Sequence, residues 1–154
     1  MIVREAREGD KQAVNELRRQ IKLVHAAGRP DFFSADFNEE SAAYLDILLR
    51  QENVEVLVAE QDSSIIGLAC IEYIDRPATP YRVSFSYCHI MEFGVDARYR
   101  RQGIGTALFD AIKARAAERG FRRIDLGMWE FNEDALKFYE AMGFHTYKRQ
   151  MEYP

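Results

Sequence analysis

Cysteine is scarce in this chain. Its two thiols, Cys70 and Cys88, both lie in apolar, strand-like runs and not in a short repeated spacing. That excludes a disulfide framework and a cysteine zinc site, and buried free thiols are expected, with no bound metal. No apolar run reaches the roughly eighteen residues that a membrane span needs. The opening "MIVREAREGDKQAV" carries acidic side chains where a secretory leader would have its apolar stretch, so a cytoplasmic location is expected. A basic excess is missing too. With 21 Lys and Arg against 25 Asp and Glu, the formal net charge is −4, which argues against a protein-wide surface for nucleic acid. Any anion site must therefore be local.

What is present suits one globular domain: 154 residues, 47% hydrophobic and 30% charged, enough to bury a single core. Residues 2–6 predict a first strand, and Asp10 is placed to cap a helix whose apolar stripe is Val14, Leu17, Ile21 and Val24. Gly28 and Pro30 end it. The turn-rich but aromatic "RPDFFSADFNEES" leads to a second helix reaching about Arg50, with Tyr44, Ile47 and Leu48 on one side. Residues 54–60 and 65–74 predict an antiparallel hairpin across "QDSS", and 82–95 a long third strand. A helix from Ile104 to about Arg119 follows, capped by Gly120, with Leu108, Ala111, Ile112 and Arg115 on its periodic face. A strand over 121–129, a short helix over 132–142 opened by Asn132, and a last strand from Gly143 complete the series. This order predicts an α/β fold with a mixed sheet, in which an antiparallel meander stands beside parallel strand-helix-strand pairs, flanked by about four helices.

The junction "VDARYRRQGIGTAL", residues 95–108, places arginines and two glycines between a strand and a helix. A helix start has unpaired N–H groups and a partial positive charge, and glycines let an anion approach them. A Walker A loop is excluded, since no Lys followed by Ser or Thr comes after Gly105. A dinucleotide fingerprint is disfavoured by Leu108 at the third glycine position and by the meander that precedes the loop. A plain tight turn with solvated arginines is the remaining alternative.

"RRQGIG" fits the pattern Q/RxxGxG/A through Arg100, Gly103 and Gly105, and here the chain resembles the GNAT superfamily of N-acetyltransferases. "NEDALKFYEAMGF", residues 132–144, resembles that family's downstream motif. The resemblance implies a single N-acetyltransferase domain over 1–154, with 1–52 on the acceptor side and 53–154 as the acetyl-CoA-binding core. It also implies two splayed parallel strands, ending near Val95 and Trp129. Backbone N–H groups of Arg101, Gln102, Gly103, Ile104, Gly105 and Thr106 would hold the cofactor's pyrophosphate, with Arg100 at the motif's first position. Phe93, Gly94 and Val95 would pair with the pantetheine arm. Asn132, Ala135, Phe138 and Tyr139 would line the same arm, although Asn132 also suits a helix cap. Homodimers are common in this family.

Chemistry follows from an amine acceptor, which is protonated at neutral pH and must lose a proton to attack. Tyr139 is the candidate donor to the departing thiolate. Glu92 is a candidate general base or substrate carboxylate, against an arginine-paired structural charge; His89 is the rival base. Because their separation is odd, a regular strand points them to opposite faces, unless a bulge intervenes. Neither cysteine is placed by a motif near the thioester, which favours direct transfer in a ternary complex. His25 and His145 suit surface or helix-end roles. Phe32, Phe33 and Phe37, with Glu92, would wall an acceptor pocket, or the aromatics pin their loop to the core. The acceptor would be a small amine, a protein N-terminus or a lysine. A non-catalytic acyl-CoA sensor is the alternative, and nucleic-acid binding through Arg98, Arg100, Arg101, Arg122 and Arg123 a weaker third.

Overall fold

In the computed structural model, which describes residues 1–154, a two-residue turn sets the first hairpin. Asp62 and Ser63 both take positive φ, 51° and 61°. A turn of that hand matches the twist of the strands it joins. Those strands are β2 (Val54–Gln61) and β3 (Ser64–Arg76). β1 (Ile2–Glu5) lies antiparallel to β2, and β4 (Phe85–Val95) antiparallel to β3. β5 (Ile124–Leu126) adds in parallel to β4, closing one five-stranded mixed sheet in the order β1-β2-β3-β4-β5.

Strand alternation sends side chains to two cores. One face buries Val54, Val56, Val58, Leu68 and Cys70 against Val14 and Leu17 of α1 (Lys11–Gly28) and Leu45 and Leu48 of α2 (Glu39–Leu49). The other buries Leu57, Ile71, Cys88 and Ile90 against Ile104, Leu108 and Ile112 of α3 (Ile104–Glu118). α4 (Glu133–Ala141) leads into Met142 and Phe144, which pack on that second core. α3 sits close on the sheet because Gly67 has no side chain: a Cβ there would lie 2.9 Å from Leu108 and 3.0 Å from Ile104. No helix is long and apolar enough to cross a membrane.

Several expectations change in detail. Asp10 does not cap α1 with its side chain; its carboxylate accepts from the Arg4 guanidinium at 2.6 Å and from the Arg7 N–H at 2.7 Å. A charged fork from β1 is the stronger partner. α2 buries Leu45 and Leu48, while Tyr44 and Ile47 are exposed. β4 begins at Phe85, and β5 is three residues long, its pairing with β4 ending at Leu126. The last strand is absent. After Gly143, at φ 93°, the chain is held by side chains: Phe144 on Phe109 and Tyr139, Tyr147 on Asp125, Glu152 on Arg29. So short a β5 offers almost no ladder to extend.

Candidate active site

The β4–α3 loop is built to leave its donors free. Asp96, buried, accepts from the Arg98 N–H at 2.9 Å and from the Arg98 guanidinium at 3.1 and 2.8 Å. Arg101 and Gly103 then take left-handed backbone, φ 63° and 82°, before α3 begins at Ile104. The first helical hydrogen bond is Ala107 N–H to Gly103 O at 3.0 Å, and no N–H from Arg101 to Thr106 donates to any acceptor in the chain. Six free donors at one helix start form an anion cradle. The arginines around it are committed unequally: Arg98 to Asp96, Arg100 to Val95 O at 3.3 Å.

Arg98 beside it, above all, holds the Asp96 carboxyl well below the usual range, at about 2. Since the folded value is depressed, the stabilisation is present above about pH 4 and is lost as pH falls toward 2. We expect Asp96→Asn to cost about 1–2 kcal/mol at pH 7, the exposed Arg98 end being screened. Urea midpoints measured against pH should converge with wild type by about pH 2; a pH-independent gap would count against this origin.

Beside the loop, β4 has an open edge. Its pairing with β5 ends at Ile90 and Leu126, leaving Met91 to Val95 without a strand on that side. Phe93 stacks on Phe138 at 5.5 Å, and a Cβ on Gly105 would lie 3.1 Å from the Phe138 ring. Tyr139, 9% exposed, is ringed by Phe93, Phe138 and Phe144. Its hydroxyl has no partner in the chain, and burial pushes its pKa up, so the phenol keeps its proton. Asn132 does cap α4, accepting from the Ala135 N–H at 3.2 Å. A groove of about 540 Å³ lined by Gln20, Val24, Asp96 and Arg100 meets, at Val24, a second one lined by Gly28, Phe131 and Asn132. Both grooves thus lie along α1, one beside Arg100 and the other beside the start of α4.

The opposite side of β4 carries the charged groups. Cys70 pairs with Glu92 but Ile71 with Ile90, so Met91 is an extra residue. His89 alternates with Cys88 and Ile90, which enter the α3-side core, and so projects toward the α1 face. Glu92 projects there too, because the bulge shifts its parity. Arg18 forks it, Nε to Oε2 at 2.9 Å and Nη2 to Oε1 at 3.2 Å, and also reaches Asn15 and Ser41 O. His89 Nδ1 meets Asp125 Oδ1 at 2.7 Å.

The aromatic loop spans this face. Phe33 stacks on His25 and meets Trp129 edge-on at 5.2 Å, Phe32 touches both Phe33 and Trp129, and Phe37 lies under the Arg18 guanidinium. Phe32 is nonetheless 64% exposed. His25 occupies the last turn of α1; burial lowers its pKa, with Glu92 opposing. Both cysteines are buried, and desolvation pushes each thiol up to about 12. Arg18, Trp129, Asp125 and Tyr147 are additions to the residues the motifs indicate. Arg18 had a signal, an arginine four residues after Val14 on the apolar stripe, and so did Asp125, an aspartate inside a strand.

Comparisons with known proteins bear on the family and the fold. A sequence model of the acetyltransferase (GNAT) family matches residues 21–144. The chain is 30% identical over 122 residues to "Probable N-acetyltransferase san" of Drosophila melanogaster, a match covering 79% of this chain and 61% of the fly protein. It is 24% identical over 125 residues to "L-ornithine N5-acetyltransferase NATA1" of Arabidopsis thaliana, covering 81% of this chain and 52% of that one. The chain thus spans about half to three-fifths of these relatives' length. The crystal structure of a mutant BH1408 protein from Bacillus halodurans superposes with a TM-score of 0.96 at 28% identity, covering 100% and 99% of the two chains. With a family match over most of its length and the free-donor loop at the strand-to-helix junction where that family's motif lies, the chain belongs to the GNAT family of acetyltransferases.

Proposed function

We propose that the protein is an acetyl-CoA-dependent N-acetyltransferase that moves the acetyl group to a primary amine by direct attack in a ternary complex. The observation that carries this reading is the row of six free N–H groups from Arg101 to Thr106, opening onto the unpaired edge of β4. Those groups fit a pyrophosphate, and Phe93, Gly94 and Val95 offer strand-like pairing to an extended arm. The cofactor supplies an activated acetyl thioester. Tyr139, held protonated, donates toward the departing sulfur, and Phe138 and Ala135 wall the arm beside Asn132. Direct attack is favoured because neither thiol can form a thiolate near neutral pH.

The acceptor side, in this reading, is the α1 face between β4 and the loop of Phe32, Phe33 and Phe37. It suits a cationic amine: Glu72 stands on that face, across from His89, in a chain of net charge −4. The name of one relative specifies ornithine, and an aminoglycoside acetyltransferase of the same fold, with a TM-score of 0.79 at 17% identity, was solved with a CoA-neamine bisubstrate analogue. Release of CoA thiol should be followed with acetyl-CoA against diamines, amino acids, aminoglycosides and N-terminal peptides. Turnover on a polyamine-like or amino-acid acceptor is expected. Tight acetyl-CoA binding with no turnover on any of them would point to a sensor.

A further inference from the structure

The cluster formed by His89, Asp125 and Tyr147 joins β4, β5 and the C-terminal segment, and none of the motifs accounts for it. His89 Nδ1 lies 2.7 Å from Asp125 Oδ1, and the Tyr147 hydroxyl donates to Asp125 Oδ2 at 2.8 Å. The parallel register sets His89 directly beside Asp125. An ionised carboxylate only accepts, so Nδ1 carries the hydrogen and Nε2 presents a lone pair. Nε2 makes no hydrogen bond in the chain, and the imidazole is about one-third exposed while Asp125 is largely buried. We infer that His89 Nε2 takes the acceptor's proton, and that Asp125 and Tyr147 are positioning residues that fix its tautomer and orientation. This deepens, and rests on, the acetyl-transfer reading.

Glu92, the other candidate, is placed differently. Both its oxygens accept from Arg18, itself 8% exposed, so its charge is already paired with a permanent cation. It serves this face as a fixed, paired charge. His89 has no such occupant. The groups around it are Glu72 directly across on β3, Asp125 on β5, Tyr87 edge-on, Glu92 with Arg18 further along β4, and Arg123 stacked over Tyr147 behind Asp125. The bond to Asp125 pushes the Tyr147 phenol up, so Tyr147 remains the donor.

The proton count requires such a group. An alkylammonium becoming an amide loses two protons. One ends on the sulfur as the carbon–sulfur bond breaks, and the other must leave before attack, because an ammonium nitrogen has no lone pair with which to bond the acetyl carbon. Nε2 receives that one and returns it to solvent.

The test uses the full chain. His89→Gln should lower kcat at pH 7 about ten- to a hundredfold with acetyl-CoA affinity unchanged. Asp125→Asn should lower kcat as well, because Nδ1 loses the acceptor that fixes its tautomer. Tyr147→Phe should cost two- to tenfold, and adding it to Asp125→Asn should cost no more than Asp125→Asn alone, as for residues acting through one group. In the ligand-free protein, ring nitrogen NMR should show the Nδ1–H tautomer of His89 in wild type and its loss in Asp125→Asn. A wild-type rate in His89→Gln would overturn the relay while leaving acetyl transfer standing. If wild type turns over no acceptor, the functional reading fails separately, and an Nε2–H tautomer, or one indifferent to Asp125, would overturn the relay on its own.

Discussion

Tyr139→Phe is expected to lower turnover about ten- to a hundredfold while acetyl-CoA binds as in wild type. The size follows from the environment. The ring sits among Phe93, Phe138 and Phe144, and its hydroxyl is without a partner. Burial raises the phenol's pKa, so full proton transfer to a thiolate whose acid form lies near 8.5 is uphill. A hydrogen bond to the developing thiolate needs no transfer. Bonds to charged groups contribute about 1.5–3 kcal/mol, and about 1.4 kcal/mol is tenfold in rate. The same argument gives two controls. Because the hydroxyl has no partner in the folded chain, phenylalanine should leave the melting temperature unchanged or raise it. Because the phenol stays protonated, wild type should show no alkaline limb from Tyr139 below about pH 10. A variant that loses rate and acetyl-CoA affinity equally would make Tyr139 a packing residue of α4.

The features legible in sequence were those whose cause is local. The Asp62–Ser63 turn, the Asn132 cap, Gly120 at φ 81° after α3 and the glycine loop each depend on residues a few positions apart. What was not legible depends on register across space. His89 and Glu92 reach the same face only because Met91 is bulged, and a bulge leaves no mark on an alternation already blurred by aromatics. Asp125 finds His89 because β5 pairs in parallel at one particular register, three residues long. Arg18 has a place in an apolar stripe only because Glu92, Asn15 and Ser41 O satisfy it. The last strand failed for the opposite reason: its composition permits a strand, but β5 is too short to template one.

The loop itself is best tested at Gly103, and Gly103→Val is expected to weaken acetyl-CoA binding at least a hundredfold while the domain still folds. At φ 82° and ψ 0° the residue is in the left-handed region, which costs a non-glycine residue about 1–3 kcal/mol and a β-branched one the most. Nothing lies within 4 Å of a Cβ built there, so the penalty falls on backbone conformation and not on core packing. A loop that relaxes to normal φ rotates the N–H groups on either side of residue 103, disturbing the row of six free donors from Arg101 to Thr106. Gly105 is a less clean site, since a side chain there meets Phe138 at 3.1 Å and would disturb the Phe93–Phe138 stack as well. Titration calorimetry with acetyl-CoA, alongside thermal unfolding, separates the two causes. If Gly103→Val lowers the melting temperature by a few degrees and binds acetyl-CoA as wild type does, the glycine is only a turn and the pyrophosphate lies elsewhere. If affinity falls while unfolding remains cooperative, the donors at the start of α3 hold the cofactor, and the arginines around them support the loop.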